Sequence, residues 1–319
     1  MATVNSGDTI TAAQYNDLQS RTNNIMGTGS GNSGYGQTLT SAQVSTGNTV
    51  TAAQMDNLRT DINKANTHQS GSGANIGNIA VGQVIGADAS GTSVGSLTQT
   101  TEGYNDYDAA VTLITTNKFL LDSGQGSLEN ISSASSSRTT NWSNEIQHVF
   151  TIDFGTANNA RFFFNSGSDI RISLSQTGGS GSKTTSWRNL LSGMGTVKIN
   201  HTTTTVTGSA STNATGWYDM TTSYKTLVTD AVGGGGVYAE NNLIIQGRRN
   251  SGSTTLQVRI RLIDADSGDQ QPGFLPGPGI DESVTGTITS TVQRFRATGT
   301  NVEVTAPSGS NNTLLTAGS

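Results

Sequence analysis

The chain has 319 residues, of which 32% are hydrophobic and 12% charged, with 40 glycines and a formal net charge of -5. It has no cysteine, so neither a disulfide framework nor a Cys-ligated metal is available. No stretch approaches the roughly 20 apolar residues that span a bilayer, and the slightly acidic balance lacks the basic stripe of a nucleic-acid binder.

Disordered chains of such low hydrophobicity usually carry high net charge. This one does not, and many segments alternate between apolar and polar residues. That pattern predicts a β-rich protein with exposed strands and a thin core, for which oligomerisation is one source of extra buried surface. The first five residues have no basic or apolar region, so no secretory signal is expected.

Residues 4–18 and 44–58 repeat one another. Val4, Gly7, Thr9, Thr11, Ala12, Ala13, Gln14 and Leu18 recur as Val44, Gly47, Thr49, Thr51, Ala52, Ala53, Gln54 and Leu58. Thr11 and Thr51 are placed to cap helices, with Gln14 and Gln54 completing capping boxes. Behind the caps, Tyr15, Leu18 and Ile25 form one apolar stripe, and Met55, Leu58, Ile62 and Ala65 form the other. Helices of about four turns are marginal alone. The stripes therefore either close an intramolecular helical hairpin or serve as an interface with a symmetry copy or another protein. Tyr15, Leu18, Ile25, Met55, Leu58 and Ile62 are the expected interface residues on the second reading.

Glycine-rich residues 27–36 join the copies, and polar residues 69–77 follow the second. The expected division is a helical attachment module over 1–75, a linker over 76–102 and a mainly β body over 103–319. Within the body, Tyr104, Tyr107, Val111, Ile114 and Leu121 predict a helix over 103–121. A helical turn is expected over 141–147, leading to a strand with Phe150, Ile152 and Phe154 on one face. Arg161-Phe162-Phe163-Phe164, a turn at 165–168 and Ile170, Ile172 and Leu174 read as a β-hairpin. Trp187, Leu190, Leu191 and Met194 predict a helix over 184–194. Strands are expected over 197–200, 204–207, 225–229, 237–245, 256–263, 284–295 and 302–305. The clearest has Leu256, Val258, Ile260 and Leu262 inward and Gln257, Arg259 and Arg261 outward. The fold class is thus α+β, with duplicated short helices followed by a mainly antiparallel β-sandwich-like domain with an embedded helix. The Pro-Gly stretch 271–279 reads as an exposed loop offering Phe274 and Leu275.

Chemical motifs are weak. Gly29, Gly31 and Gly34 spell a dinucleotide-binding fingerprint, but after a helix rather than a strand. Residues 178–184, Gly-Gly-Ser-Gly-Ser-Lys-Thr, lie where a P-loop would, yet Thr177 and Ser182 occupy the required glycine positions. Asp264, Asp266 and Asp269 echo a calcium loop without its final glutamate, and a solvated turn is the stronger reading. His68, His148 and His201 are scattered. Neither a cofactor nor a metal nor a catalytic constellation is expected.

The repeat unit Thr11-Ala12-Ala13-Gln14-Tyr15-Asn16-Asp17-Leu18, the segment Phe163-Phe164-Asn165-Ser166-Gly167 followed by Ile170-Arg171, and Trp187 with Leu190-Leu191 and Met194-Gly195-Thr196-Val197 resemble virion structural proteins of tailed phages. The resemblance is to contractile-tailed phages of marine cyanobacteria in particular. It implies a non-enzymatic component of the tail, baseplate or a fibre, located in the virion. Its partners would be its own copies, with a trimer favoured, and other virion proteins. Alternatives are a neck or head-decoration protein and an adhesin for a host surface glycan, with Trp217-Tyr218 and Phe274 as the aromatic platform. A virion-associated hydrolase would need two carboxylates across a cleft.

Overall fold

The computed structural model describes residues 10–74, 76–77, 103–232, 238, 240–265 and 282–317, with only the backbone of 132–136 and 312–317. The chain forms two compact units. One comprises Met1–Ser127, Arg161–Ser168 and Arg296–Thr305; the other comprises Leu128–Ala160, Asp169–Phe295 and Ala306–Ser319. The helical unit therefore continues to Ser127 instead of ending near residue 75, and two later segments join it. Most of the expected linker, residues 78–102, lies outside the described residues.

The first unit is built on α1 (Ala12–Met26), α2 (Ala52–Ser70) and α3 (Tyr104–Thr116), each of which packs on the other two. Both repeat copies start as their sequences predict. Gln14 N–H donates to Thr11 Oγ1 at 3.3 Å while Thr11 N–H donates to Gln14 Oε1 at 2.9 Å. The corresponding distances for Thr51 and Gln54 are 3.3 and 2.8 Å. Each box satisfies two donors that a helix start otherwise leaves unpaired. The inward faces meet in one core: Tyr15, Leu18, Ile25, Met55, Leu58, Ile62, Tyr107, Val111 and Ile114 are buried. Hydrogen bonds tie the connecting loop to the helices. The Asn16 amide both donates to and accepts from the Val44 backbone at 2.8 Å, and the Asp61 carboxylate accepts from Thr40 and Ser41 N–H at 3.0 and 2.7 Å.

The second unit holds two antiparallel sheets and is β-sandwich-like. In chain order its strands are β1 (Gly126–Arg138), β2 (Glu145–Asp153), β3 (Asp169–Thr177), β4 (Val197–Ile199), β5 (Thr204–Val206), β6 (Ser211–Thr212), β7 (Lys225–Ala231), β8 (Asn242–Arg249), β9 (Thr255–Ile263), β10 (Thr287–Ala297) and β11 (Ser308–Ala317). One sheet runs β1-β10-β3-β4-β5 and the other β11-β2-β9-β8-β7-β6. Alternation sets the buried faces: Ile146, His148, Phe150 and Ile152 on β2, and Leu256, Val258, Ile260 and Leu262 on β9. Burying each large aliphatic side chain of β9 contributes about 1.5–3 kcal/mol. The embedded helix α5 (Ser182–Met194) packs on β3, with Trp187 against Trp142 at a ring separation of 5.1 Å.

Several sequence expectations are corrected. Arg161–Phe164 is not a strand but part of a helix, α4 (Ala157–Asn165). Ala160, Phe163 and Phe164 sit at helical spacing and are buried. Residues 141–144 do not form a helical turn; Trp142 pairs with Val284 in an isolated bridge before β2 begins. Val302–Thr305 makes only the bridge Thr298↔Glu303, although Val302 and Val304 are buried. The strand expected from 237 starts at Asn242, and Val237 lies outside the described residues. Two long strands, β1 and β11, have no counterpart among the expected ones.

Candidate functional site

The six residues expected to form an interface are the core of their own unit. Tyr15, Leu18, Met55, Leu58 and Ile62 are 0% exposed and Ile25 is 1% exposed. They are corrected from contact residues to packing residues, because α3 supplies the third apolar face that the two repeats need. Tyr15 Oη still reaches across, donating to Gln54 O at 3.2 Å, and burial pushes its phenol pKa up to about 12.

The glycine fingerprint is a helix-ending turn. Gly29 and Gly34 have φ of 49° and 101°, and a Cβ on Gly34 would stand 2.3 Å from Thr28 O. Tyr35 N–H donates to Ile25 O and Gln37 N–H to Met26 O, at 2.9 and 2.7 Å, closing the end of α1. No helix follows to receive a pyrophosphate.

The P-loop-like stretch does join a strand, β3, to a helix, α5. Its lysine, however, is enclosed: Lys183 Nζ lies 3.2 Å from Asp264 Oδ2, both side chains being 0% exposed. Where a phosphate would meet the helix start, Glu282 accepts from Lys183 N–H at 3.3 Å. Tyr238 Oη donates to the same Glu282 oxygen at 3.4 Å. Gly181, with φ 103°, has Glu282 where a Cβ would be. The chain's own carboxylate fills the anion position. Asp264 is thus paired with Lys183 inside the fold rather than in a solvated turn, while Asp266 and Asp269 lie outside the described residues, as do Phe274 and Leu275. Among the described residues, no group of three or more His, Asp or Glu could hold a metal ion.

Two histidines serve packing. His68 donates from Nε2 to Ser166 O at 2.9 Å and lies 5.0 Å from the Tyr35 ring. His148 Nε2 sits 3.1 Å from Asn311 Oδ1, and its ring is 4.0 Å from Phe150. Both Nδ1 atoms are buried without a hydrogen-bond partner among the described residues. Burial lowers both pKa values to about 4. His201 is half-buried on the loop between β4 and β5, accepting through its backbone carbonyl from Tyr218 N–H at 2.8 Å.

Of the expected aromatic platform, Trp217 is 2% exposed and meets Phe154 edge-on at 5.5 Å, so it belongs to the core. Tyr218 is half-buried. The polar cluster that stands out was not among the expected sites. It lies on the outward face of the six-stranded sheet, where Tyr224, Gln246, Arg248, Gln257 and Arg259 converge. The outward alternation of Gln257, Arg259 and Arg261 was the signal that could have found it. Neither a protein-family model, nor a curated protein, nor a solved structure matches this chain. Among the described residues, no helix is long and apolar enough to cross a membrane.

Proposed function

We propose that the protein is a structural component of a tailed-phage virion, associated with the tail fibre or baseplate, that works by assembling with its own copies and with neighbouring virion proteins. The observation that carries this reading is the asymmetry of the two sheets. Among the described strands, each sheet ends on one side in a stub, β5 or β6, of three or two residues. On the other side each ends in a long strand, β1 of 13 residues or β11 of 10. Neither long edge contains proline or lysine, the usual protection against strand addition. Leu128 on β1 is 51% exposed, a large apolar side chain on an edge strand that no other described strand covers. Such edges suit strand pairing with another subunit.

Assembly on this reading uses the sheet edges and not the helical stripes, which are consumed inside their own unit. A closed homo-oligomer, with a trimer favoured, follows from the usual symmetry of such assemblies. The side chains of Lys183, Asp264, His68 and His148, which could have served chemistry, are engaged in the fold, which favours a structural over a catalytic role.

Two measurements test the proposal. Native mass spectrometry of the full chain is expected to give a discrete oligomer that Leu128→Lys weakens. Proteomics of purified phage particles is expected to find the chain at stoichiometric abundance. A monomer at high concentration, together with absence from particles, would refute it.

A further inference from the structure

The outward face of the six-stranded sheet carries a built array of cations. Register places Gln246 opposite Arg259 and Arg248 opposite Gln257 on β8 and β9. Arg259 donates from Nε and Nη2 to Gln246 Oε1 at 2.9 and 2.6 Å. Arg248 donates from Nε to Gln257 Oε1 at 2.8 Å, and Tyr224 Oη donates to the same oxygen at 2.6 Å. Gln257 is itself held by a bond from Nε2 to Thr151 Oγ1 at 3.3 Å. The Tyr224 ring lies 4.5 Å from the Arg248 guanidinium and 4.0 Å from that of Arg259. All of these side chains are half-exposed.

Among the described residues, the charge on this array is left uncompensated. Arg261, two residues along β9, is neutralised by Glu145 at 2.6 and 3.0 Å. Among the described residues, Arg248 and Arg259 have no carboxylate partner; their acceptors are neutral amides. The guanidinium forks are nevertheless fixed in place by glutamine and tyrosine, so little side-chain freedom remains to be lost on binding.

We infer that this face is a docking surface for an acidic protein segment in extended conformation, whose carboxylates pair with Arg248 and Arg259. Two features select that partner. Guanidinium groups cover the Tyr224 ring, so the face lacks an open aromatic platform for a neutral sugar and offers charged donors instead. Arg248 and Arg259 stand diagonally across β8 and β9, a separation of about 7–8 Å, which is near the ~6.6–6.8 Å repeat of same-face side chains on an extended partner running obliquely across the two strands. The inference deepens the assembly reading by naming a surface and the chemistry of the neighbour. It stands or falls separately, because it concerns the sheet face and not the sheet edges.

The test uses the full chain and poly-L-glutamate, followed by calorimetry at about 20 mM salt, where screening of exposed charges is weak. The chain's net charge of -5 gives a polyanion no general attraction. Binding is expected, with at least about a tenfold loss in Arg248→Gln/Arg259→Gln and a comparable loss at about 150 mM salt. Arg138→Gln, outside the face, is expected to bind as the parent does. Should the glutamine variant melt early, Arg248→Lys/Arg259→Lys keeps the charge but not the fork, and a loss of at least about threefold is expected. No binding, binding undiminished in the arginine variants, or binding of a polyuronate but not of polyglutamate would each overturn the inference. Detection of the chain in phage particles would be unaffected by any of these results.

Discussion

Removing one partner of the Lys183–Asp264 pair should be among the most damaging single changes in the second unit. Both side chains are 0% exposed and their charged atoms lie 3.2 Å apart. Asp264→Ala would leave an ammonium enclosed between α5 and the end of β9 without its carboxylate, and losses of about 3–5 kcal/mol are usual for a buried pair broken on one side. In urea, with a slope of about 2 kcal/mol/M, this is a midpoint shift of about 1.5–2.5 M. Lys183→Met should cost a similar amount because it strands the aspartate. Joining it with Asp264→Leu removes both charges and should recover much of the loss, so the two effects are strongly non-additive. Urea unfolding of the four proteins, followed by tryptophan fluorescence, measures the cycle, since Trp187 lies on the same helix. A single-substitution loss under about 1 kcal/mol, or additive effects, would refute the account of a desolvated ion pair.

Three further outcomes follow from the geometry. Thr11→Ala and Thr51→Ala should each cost about 1 kcal/mol, and by similar amounts, because the two capping boxes match; calorimetric melting of the two variants checks this. Leu58→Ala should cost about 2–5 kcal/mol, and the loss should not change with protein concentration, since the side chain packs within its own unit. His68 and His148 have folded pKa values of about 4 against an ordinary 6.5. Their neutral forms are favoured by the fold, so their contribution is complete above pH 6.5 and is lost as pH falls towards 4. Each histidine accounts for up to about 3 kcal/mol. Unfolding midpoints at pH 7, 5 and 4 should fall in that order, and a flat profile in the parent protein would contradict the buried neutral state.

What the sequence disclosed depended on how local the cause was. The two capping boxes could be read because a threonine and a glutamine three positions on are sufficient to build them. β9 could be read because its alternation runs uninterrupted from Leu256 to Leu262. α4 was misread because three successive phenylalanines mimic a strand, whereas the buried set Ala160, Phe163 and Phe164 has the helical period. β1 and β11 were missed because serine, asparagine and glycine dominate them, and pairing with β10 and β2 defines them more than composition does. The apolar stripes of α1 and α2 announced burial but not by whom, and the answer, α3, lies beyond a long intervening segment. The arginine face was half visible, as outward residues on β9. The arrival of Tyr224 from the residues preceding β7 is a tertiary event that no periodicity encodes.

Asp264 and Glu282 stand at the two ends of the stretch that leads from β9 towards β10, and both are fastened to the first turn of α5, through Lys183 Nζ and Lys183 N–H. Two points of the chain far apart in sequence are thus fastened to a single lysine, like cloth held under one clip. Because both anchors meet at one residue, a change at Lys183 is felt together at the end of β9 and in the residues ahead of β10.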